Sequence, residues 1–273
     1  MTGDAPATVP VTVVAGSGPS LAAIDPGRVL ATDRIIRVNN FFFEDRFHLG
    51  RRVDVAYVSG DPRVVPFLCA TLKKARAQYD LRAWSAPGGR VTRIARRHLG
   101  PLPYRPMRPA DAETEARIAL LTDRYGVKPS SGVQALLLAH AMGARRIVLA
   151  GIDLYSTENR YVYTPGRHQR DLLGDDLGQR AWDLRLHHPD FDRALIGWLA
   201  ERPGLTLWRA ADVPALNDLV DLAPEREGAR IVVEPKEQIE DWAGWAGAYP
   251  IGLLKILRRL RRWQRTLTGD LPR

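Results

Sequence analysis

The chain has a single cysteine, Cys69, among 273 residues. No intrachain disulfide framework can form, which fits a reducing compartment. No run is long and apolar enough to cross a bilayer. The opening, MTGDAPATVP, has neither a charged start nor an apolar segment, so no signal peptide is expected. Paired-cysteine and HExxH patterns are missing, and no metal site is expected. The Gly-Lys-Ser/Thr of a Walker loop and the Gly-x-Ser-x-Gly nucleophile elbow are missing too. Negative charge is the scarcer sign, with 31 Asp plus Glu against 40 Lys plus Arg and a net charge of +9. A basic balance suits anionic partners: nucleotides, nucleic acid or acidic lipid.

Hydrophobic residues make up 45 % of the chain, enough to build the core of one large domain. Residues 1–10 read as a disordered lead. Strands are expected at 11–15, 34–38, 53–59, 81–86 and 146–152, with a further one in LTLWRA. Helices are expected at 66–79, 112–125 and 133–142, and over DFDRALIGWLAE and VPALNDLVDLAP. Residues 87–112 read as an irregular loop because Pro, Gly and Arg crowd there. Alternating strands and helices predict an α/β fold: a mostly parallel sheet with helices on both faces. A long polar excursion over 154–190 follows a strand end, where ligands gather in open α/β sheets, and reads as a lid. A boundary is expected near 224–228, dividing an 11–224 catalytic domain from a 225–273 tail.

Two segments ask for explanation. The first is VTVVAGSGPSLAAID, where a strand ends in Gly16-Ser17-Gly18. Glycine allows close approach to the main chain, and Pro19-Ser20 offer a helix start whose free N–H groups favour an anion such as a nucleotide phosphate. The alternative is an ordinary tight turn. The second is residues 251–267, where leucines, Ile256 and Trp263 alternate with Lys255, Arg258, Arg259, Arg261, Arg262 and Arg265. This pattern predicts a basic amphipathic helix. Either it lies on the inner-membrane surface or it docks on the protein or a second copy. The expected location is cytoplasmic, with peripheral membrane contact through this helix.

Five strand- or helix-end motifs then occur in order: AGSGPSL, RVNNFFFED, KPSSGVQAL, LAGIDLYSTENRYVY and HHPDFDRAL. Together they resemble the bacterial sialyltransferases of glycosyltransferase family 42, over roughly 11–224. The resemblance implies a modified nucleotide-binding, GT-A-like fold. It implies metal-independent, inverting transfer of sialic acid, or a related ulosonic acid, from a CMP-activated donor to a glycan hydroxyl, with no cofactor. It places Gly16, Ser17, Gly18 and Ser20 beside CMP, with Asn39, Ser130, Ser131, Gly132, Gly151 and Asp153 as further donor-binding positions. Tyr155 and Tyr161 match two tyrosines that hydrogen-bond the leaving phosphate. His187, in HHPDFD, matches the general base, chosen over His188 and His168, and Asp192 either orients it or caps the next helix. A homo-oligomer is also implied. The chain departs from the family pattern at Ser17, where asparagine is common, at Lys128, where arginine is, and at SGDP, where Ser59 or Asp61 stands in place of an asparagine.

The chemistry agrees with this assignment. Hydroxyl donors aimed at a developing phosphate charge do what metal ions do elsewhere, and a neutral imidazole suits removal of the acceptor proton. Two other classes stay open on the residues alone. One is a different nucleotide-dependent transferase, diphosphokinase-like, sharing the glycine loop. The other is a basic module binding membrane or nucleic acid. No RNA-binding or helix-turn-helix pattern supports a nucleic-acid partner, and none is expected.

Overall fold

Short runs of Val, Ile and Leu form the middle of a parallel sheet, as strands buried on both faces must. The structure, a computed structural model, describes residues 10–174, 177–178, 187–243, 253, 256–257, 260 and 263–264. In chain order the strands are β1 (Thr12–Ala15), β2 (Arg34–Val38), β3 (Arg52–Val53), β4 (Val55–Tyr57), β5 (Asp80–Leu81), β6 (Trp84–Ala86), β7 (Tyr104–Pro106), β8 (Arg146–Ala150), β9 (Thr206–Arg209) and β10 (Asp221–Leu222). The helices are α1 (Val65–Ala75), α2 (Gly89–Leu99), α3 (Ala112–Tyr125), α4 (Ser131–Ala141), α5 (Arg167–Leu173) and α6 (Pro189–Ala200). Eight strands form one sheet in the order β10-β9-β8-β1-β2-β4-β6-β7, while β3 and β5 pair separately. The pairings along both sheets are parallel.

Side-chain alternation sends successive residues to opposite faces. Val14, Ile36, Val55, Ile147 and Leu149 pack under α3, α4 and α6. Val13, Ala15, Ile35 and Val148 face the other way, beside the layer where α1 and α2 cover Ala56, Val58 and Trp84. Helices therefore flank the sheet on both faces, as expected. From β1 the chain steps through β2, β4, β6 and β7 on one side, then returns through α3 and α4 to β8 on the other. Loops leaving β1 and β8 thus diverge at the point where strand order reverses, which is where ligand crevices open in such sheets.

Several elements differ from expectation. The run at 53–59 splits at Asp54, whose carboxylate accepts from the Ile35 N–H at 2.8 Å and turns β3 away from β4. Residues 87–112 are not irregular: they hold α2 and β7. Gly88 and Gly89 take positive φ at the start of the helix, and buried Val91, Ala95 and Leu99 mark its inner face. The surrounding arginines hid that spacing. VPALNDLVDLAP forms turns and then β10, not a helix, since the Asn217 side chain accepts from the Val213 N–H at 3.1 Å and closes a local turn.

The boundary near 224–228 does not detach the residues beyond it. Arg226 donates to both Asp33 carboxylate oxygens, at 2.9 and 2.5 Å. Phe47 N–H donates to Glu234 at 2.9 Å, and Lys236 N–H to Asp45 at 2.8 Å. Trp242 is fully buried against Phe67. Residues 226–243 are therefore a strap built into the body. It is tied by backbone bonds and one tryptophan, so its composition resembles a linker. The lead at 1–9 lies outside the described residues, as do 175–176 and 179–186 within the expected lid.

Candidate active site

The glycine loop and the loop after β8 are built against each other. Gly16 N–H donates to Ala150 and Gly18 N–H to Gly151, both at 2.9 Å. A Cβ on Gly16 would stand 2.4 Å from the Gly151 carbonyl oxygen, and one on Gly18 would stand 2.6 Å from Asp153 Oδ2. No larger residue fits either place without moving backbone. Ser20 N–H donates to Asp153 Oδ2 at 2.8 Å, and the Ser20 hydroxyl donates to Asp153 Oδ1. The turn at Pro19–Ala23 is a five-residue 3-10 helix. The N–H that its sequence offers to an anion is thus taken by a carboxylate of the same chain. Burial pushes the Asp153 carboxyl up, and the two Ser20 bonds pull it back.

Beneath the loop lies a buried ion pair that the sequence did not announce. Arg37, on β2, donates to Glu44 Oε1, and both side chains are almost wholly shielded from solvent. Ser17 donates its hydroxyl to the same oxygen at 2.9 Å. Glu44 follows the three phenylalanines of the Phe41–Phe43 turn, which bury it. The motif RVNNFFFED contains both Arg37 and Glu44, but nothing in it showed that they pair, because a strand pattern gives no sign of a charge facing inward.

A second group of residues joins β2, β4 and α4. Asn39, with a φ of 52°, accepts through its side-chain oxygen from the Ser59 N–H at 2.8 Å. Ser59 and Ser131 share a hydroxyl–hydroxyl bond of 2.5 Å. Of the two residues at SGDP, Ser59 stands at the site, while Asp61 binds the Arg63 guanidinium. Gly132 packs directly under Ile152, where its missing side chain leaves room. Ser130 stands at the N-cap position of α4 without a side-chain capping bond, and its N–H donates to Asp192 Oδ1 at 3.0 Å. Asp192 therefore ties α6 to α4, and its hydrogen bonds go to Ser130.

Asp192 Oδ2 is buried with no hydrogen-bond partner. Burial pushes the carboxyl up to about 6, with the Ser130 bonds opposing the shift. A raised carboxylate pKa means that the folded state holds the proton longer, so stability falls as pH rises from about 4 to about 6. Asp192→Asn keeps an acceptor for Ser130 and removes the charge. We expect it to flatten this dependence and to gain roughly 1–3 kcal/mol above pH 6. Thermal melts at pH 4.5 and 7.5 check this; equal slopes for the two proteins would refute it.

Tyr155, Tyr161 and His187 come together. The Tyr155 and His187 rings stack with centroids 6.5 Å apart and planes at 26°. The Arg160 guanidinium lies 4.3 Å from the Tyr155 centroid and 5.5 Å from that of Tyr161. Tyr161 stacks on the buried Tyr163 at 5.1 Å. Val162 N–H donates to the Ser17 carbonyl at 2.8 Å, which pins this stretch to the glycine loop. Leu154 and Tyr155 both take positive φ, 49° and 54°. With Asn39, they are three of the four non-glycine residues in that region among the described residues. Such strain collects at functional sites.

The competing histidines have other work. His188 caps α6 by accepting from the Asp190 N–H at 3.2 Å, and its ring packs on Tyr125. His168 lies on α5, where its N–H donates to Asp241 of the strap. Among the described residues, no cluster of His, Cys, Asp and Glu is arranged to hold a metal. A cavity of about 360 Å³, lined by apolar residues such as Leu21, Val29 and Val162 together with Asp45, Arg46 and His48, lies behind the glycine loop and holds none of the expected site residues.

Known proteins share both sequence and architecture with this chain. Residues 10–79 match the family described as CST-I: Alpha-2,3-sialyltransferase (CST-I). The chain is similar to these bacterial sialyltransferases. Monofunctional alpha-2,3-sialyltransferase Cst-I from Campylobacter jejuni has the same fold, with a TM-score of 0.71 and 17% identity over 96% of this chain and 97% of its own. Sialyltransferase CstII from Campylobacter jejuni, solved with the substrate analogue CMP-3FNeuAc, gives a TM-score of 0.70 and 18% identity over 84% and 92%. CST-II with a trisaccharide acceptor and CMP gives a TM-score of 0.66 at 18% identity over 85% and 93%. No curated protein matches the chain by sequence. The region matching the family runs through β1, β2 and α1, and so contains the glycine loop, Asn39 and Ser59.

Proposed function

We propose that this protein is an inverting, metal-independent sialyltransferase. It moves sialic acid, or a related ulosonic acid, from a CMP-activated donor to the hydroxyl of a glycan acceptor. The observation that carries this reading is the stacked Tyr155–His187 pair, placed at the strand ends beside the glycine loop in a fold shared with CMP-bound sialyltransferases.

The donor lies over Gly16–Gly18 and Gly151, with Asn39, Ser130, Ser131 and Gly132 facing its anionic groups. The start of α4 adds the positive end of a helix dipole. Ser17, Ser20 and Asp153 keep the loop in shape through Glu44 and one another. As the bond to CMP breaks, charge grows on the phosphate oxygen, and the Tyr155 and Tyr161 hydroxyls donate to it. His187 takes the proton of the acceptor hydroxyl as that oxygen attacks the anomeric carbon from the opposite face, so configuration inverts. Residues 154–190 close over the donor and keep water out.

The tail carries a second part of the reading. Leu253, Ile256, Leu257, Leu260 and Trp263 are all exposed and helical, at the spacing of one helix face. With the basic residues between them in sequence, this face suits an anionic membrane surface and brings the enzyme to membrane-linked acceptors. Among the described residues, no helix is long and apolar enough to cross a membrane. A homo-oligomer forms part of the same proposal.

The test is CMP release from CMP-Neu5Ac with EDTA present. Wild type is expected to release CMP, and Tyr155→Phe and Tyr161→Phe to lose about 10²–10³ in rate each. Release that stops with EDTA would overturn metal independence. No CMP binding by calorimetry would overturn the donor assignment and favour a triphosphate substrate.

A further inference from the structure

The donor proposed above carries a phosphate and a sugar carboxylate, yet most cations near its site are committed. Arg37 is spent on Glu44. Lys236 donates to the Phe42 carbonyl at 2.8 Å. Lys128, just before the α4 cap, is exposed. Arg160 is different. Its guanidinium sits over Tyr155 and Tyr161, the two tyrosines given to the phosphate. Its side chain is half-buried, its guanidinium hydrogen-bonds the Tyr155 side chain, its Nε is shielded and has no hydrogen-bond partner, and no carboxylate pairs with it among the described residues.

We propose that Arg160 is the phosphate-binding cation of this site, clamped by Tyr155 and Tyr161 so that its N–H edge meets the donor. The inference rests on the sialyltransferase reading. One of its donors goes to Tyr155, and an arginine stacked by its face on aromatic rings keeps its remaining edge donors, which match phosphate oxygens. The backbone holds it in place: Arg160 N–H donates to Gly178 and Val162 N–H to Ser17, both at 2.8 Å. The cation thus rides on the same segment as the two phenols and is tied to the glycine loop. As CMP leaves, its phosphate gains charge, and a guanidinium already in contact strengthens its hold without moving. Arg160 and the tyrosines then share the task that a metal ion performs in other nucleotide-sugar enzymes.

The alternative role is a structural clasp that only orients the tyrosines. Calorimetry with CMP and with cytidine, done in wild type and again in a Tyr155→Phe/Tyr161→Phe background, separates the two, because a clasp that only orients the phenols has nothing left to lose once their hydroxyls are gone. For Arg160→Gln, CMP affinity is expected to fall about 10- to 100-fold while cytidine affinity is unchanged, and kcat for CMP release to fall with it. Arg160→Lys is expected to recover part of the CMP affinity, since it keeps charge without the fork. It also serves if the glutamine variant fails to fold. If Arg160→Gln causes no further loss of CMP affinity in the double-phenylalanine background, only the clasp is left and the proposal is overturned, as it is by equal losses for CMP and cytidine or by unchanged CMP affinity. Wild-type protein that binds no CMP would overturn the sialyltransferase reading itself, and Arg160 with it.

Discussion

His187→Ala is expected to cut transfer to a glycan acceptor by about 10²- to 10⁴-fold, the range for loss of a positioned general base. CMP affinity should stay the same, because in the proposed reaction the imidazole takes the acceptor proton and does not bind the nucleotide. Hydrolysis of the donor by water should fall much less than transfer does. The ring already stacks on Tyr155 at 6.5 Å, so the proposed base and a proposed leaving-group donor belong to one assembly. His188 provides the control. Its ring caps α6 and packs on Tyr125, so His188→Asn, which keeps a capping acceptor, should leave transfer within a few-fold of wild type. Measuring acceptor transfer and donor hydrolysis side by side decides the matter. A His187→Ala protein that transfers at near wild-type rate would remove His187 from the mechanism.

The second large effect is on stability. Glu44→Ala should cost about 3–5 kcal/mol, since it leaves the buried Arg37 guanidinium without its partner. Removing both charges is a different matter. Arg37→Met combined with Glu44→Leu replaces the pair by apolar groups of similar size and should recover most of the loss. Ser17 loses its hydroxyl acceptor in either protein, so both should bind CMP more weakly even where stability returns. Guanidinium denaturation of the two variants and wild type measures the first effect, and calorimetry the second. A Glu44→Ala protein within 1 kcal/mol of wild type would show that the pair contributes little to stability.

Asp192 illustrates how a motif residue acquires its meaning. In the sequence it follows His187 at a spacing that suits either an imidazole partner or a helix cap. In the structure its carboxylate reaches across to the Ser130 N–H, linking the first turn of α6 to the start of α4. It thereby sets where α6, and His187 just before it, enters the site. That choice depends on two helices distant in sequence, so no local reading makes it.

Much of the fold was legible because period and punctuation are local. Runs of buried β-branched and apolar residues marked β1, β2 and β8, and α3 followed its expected span from Ala112 to Tyr125. The glycine loop, the serines before α4 and the Tyr-rich stretch after β8 also stood out, each as an unusual polar or glycine group at the end of an apolar run. Where period was masked, reading failed: α2 hid among arginines, and the strap at 226–243 looked like a linker because its anchors are hydrogen bonds and one tryptophan. The sequence by itself determined an α/β sheet, its central strands and the residue types available for donor chemistry. Only the tertiary structure decided that Arg37 and Glu44 face inward beneath the glycine loop, that Asp153 holds Ser20, and that Arg160 lies between Tyr155 and Tyr161. These are contacts between segments far apart in the chain or rings set by a strained backbone. Distance and direction between such groups come from packing, not from the order of residues.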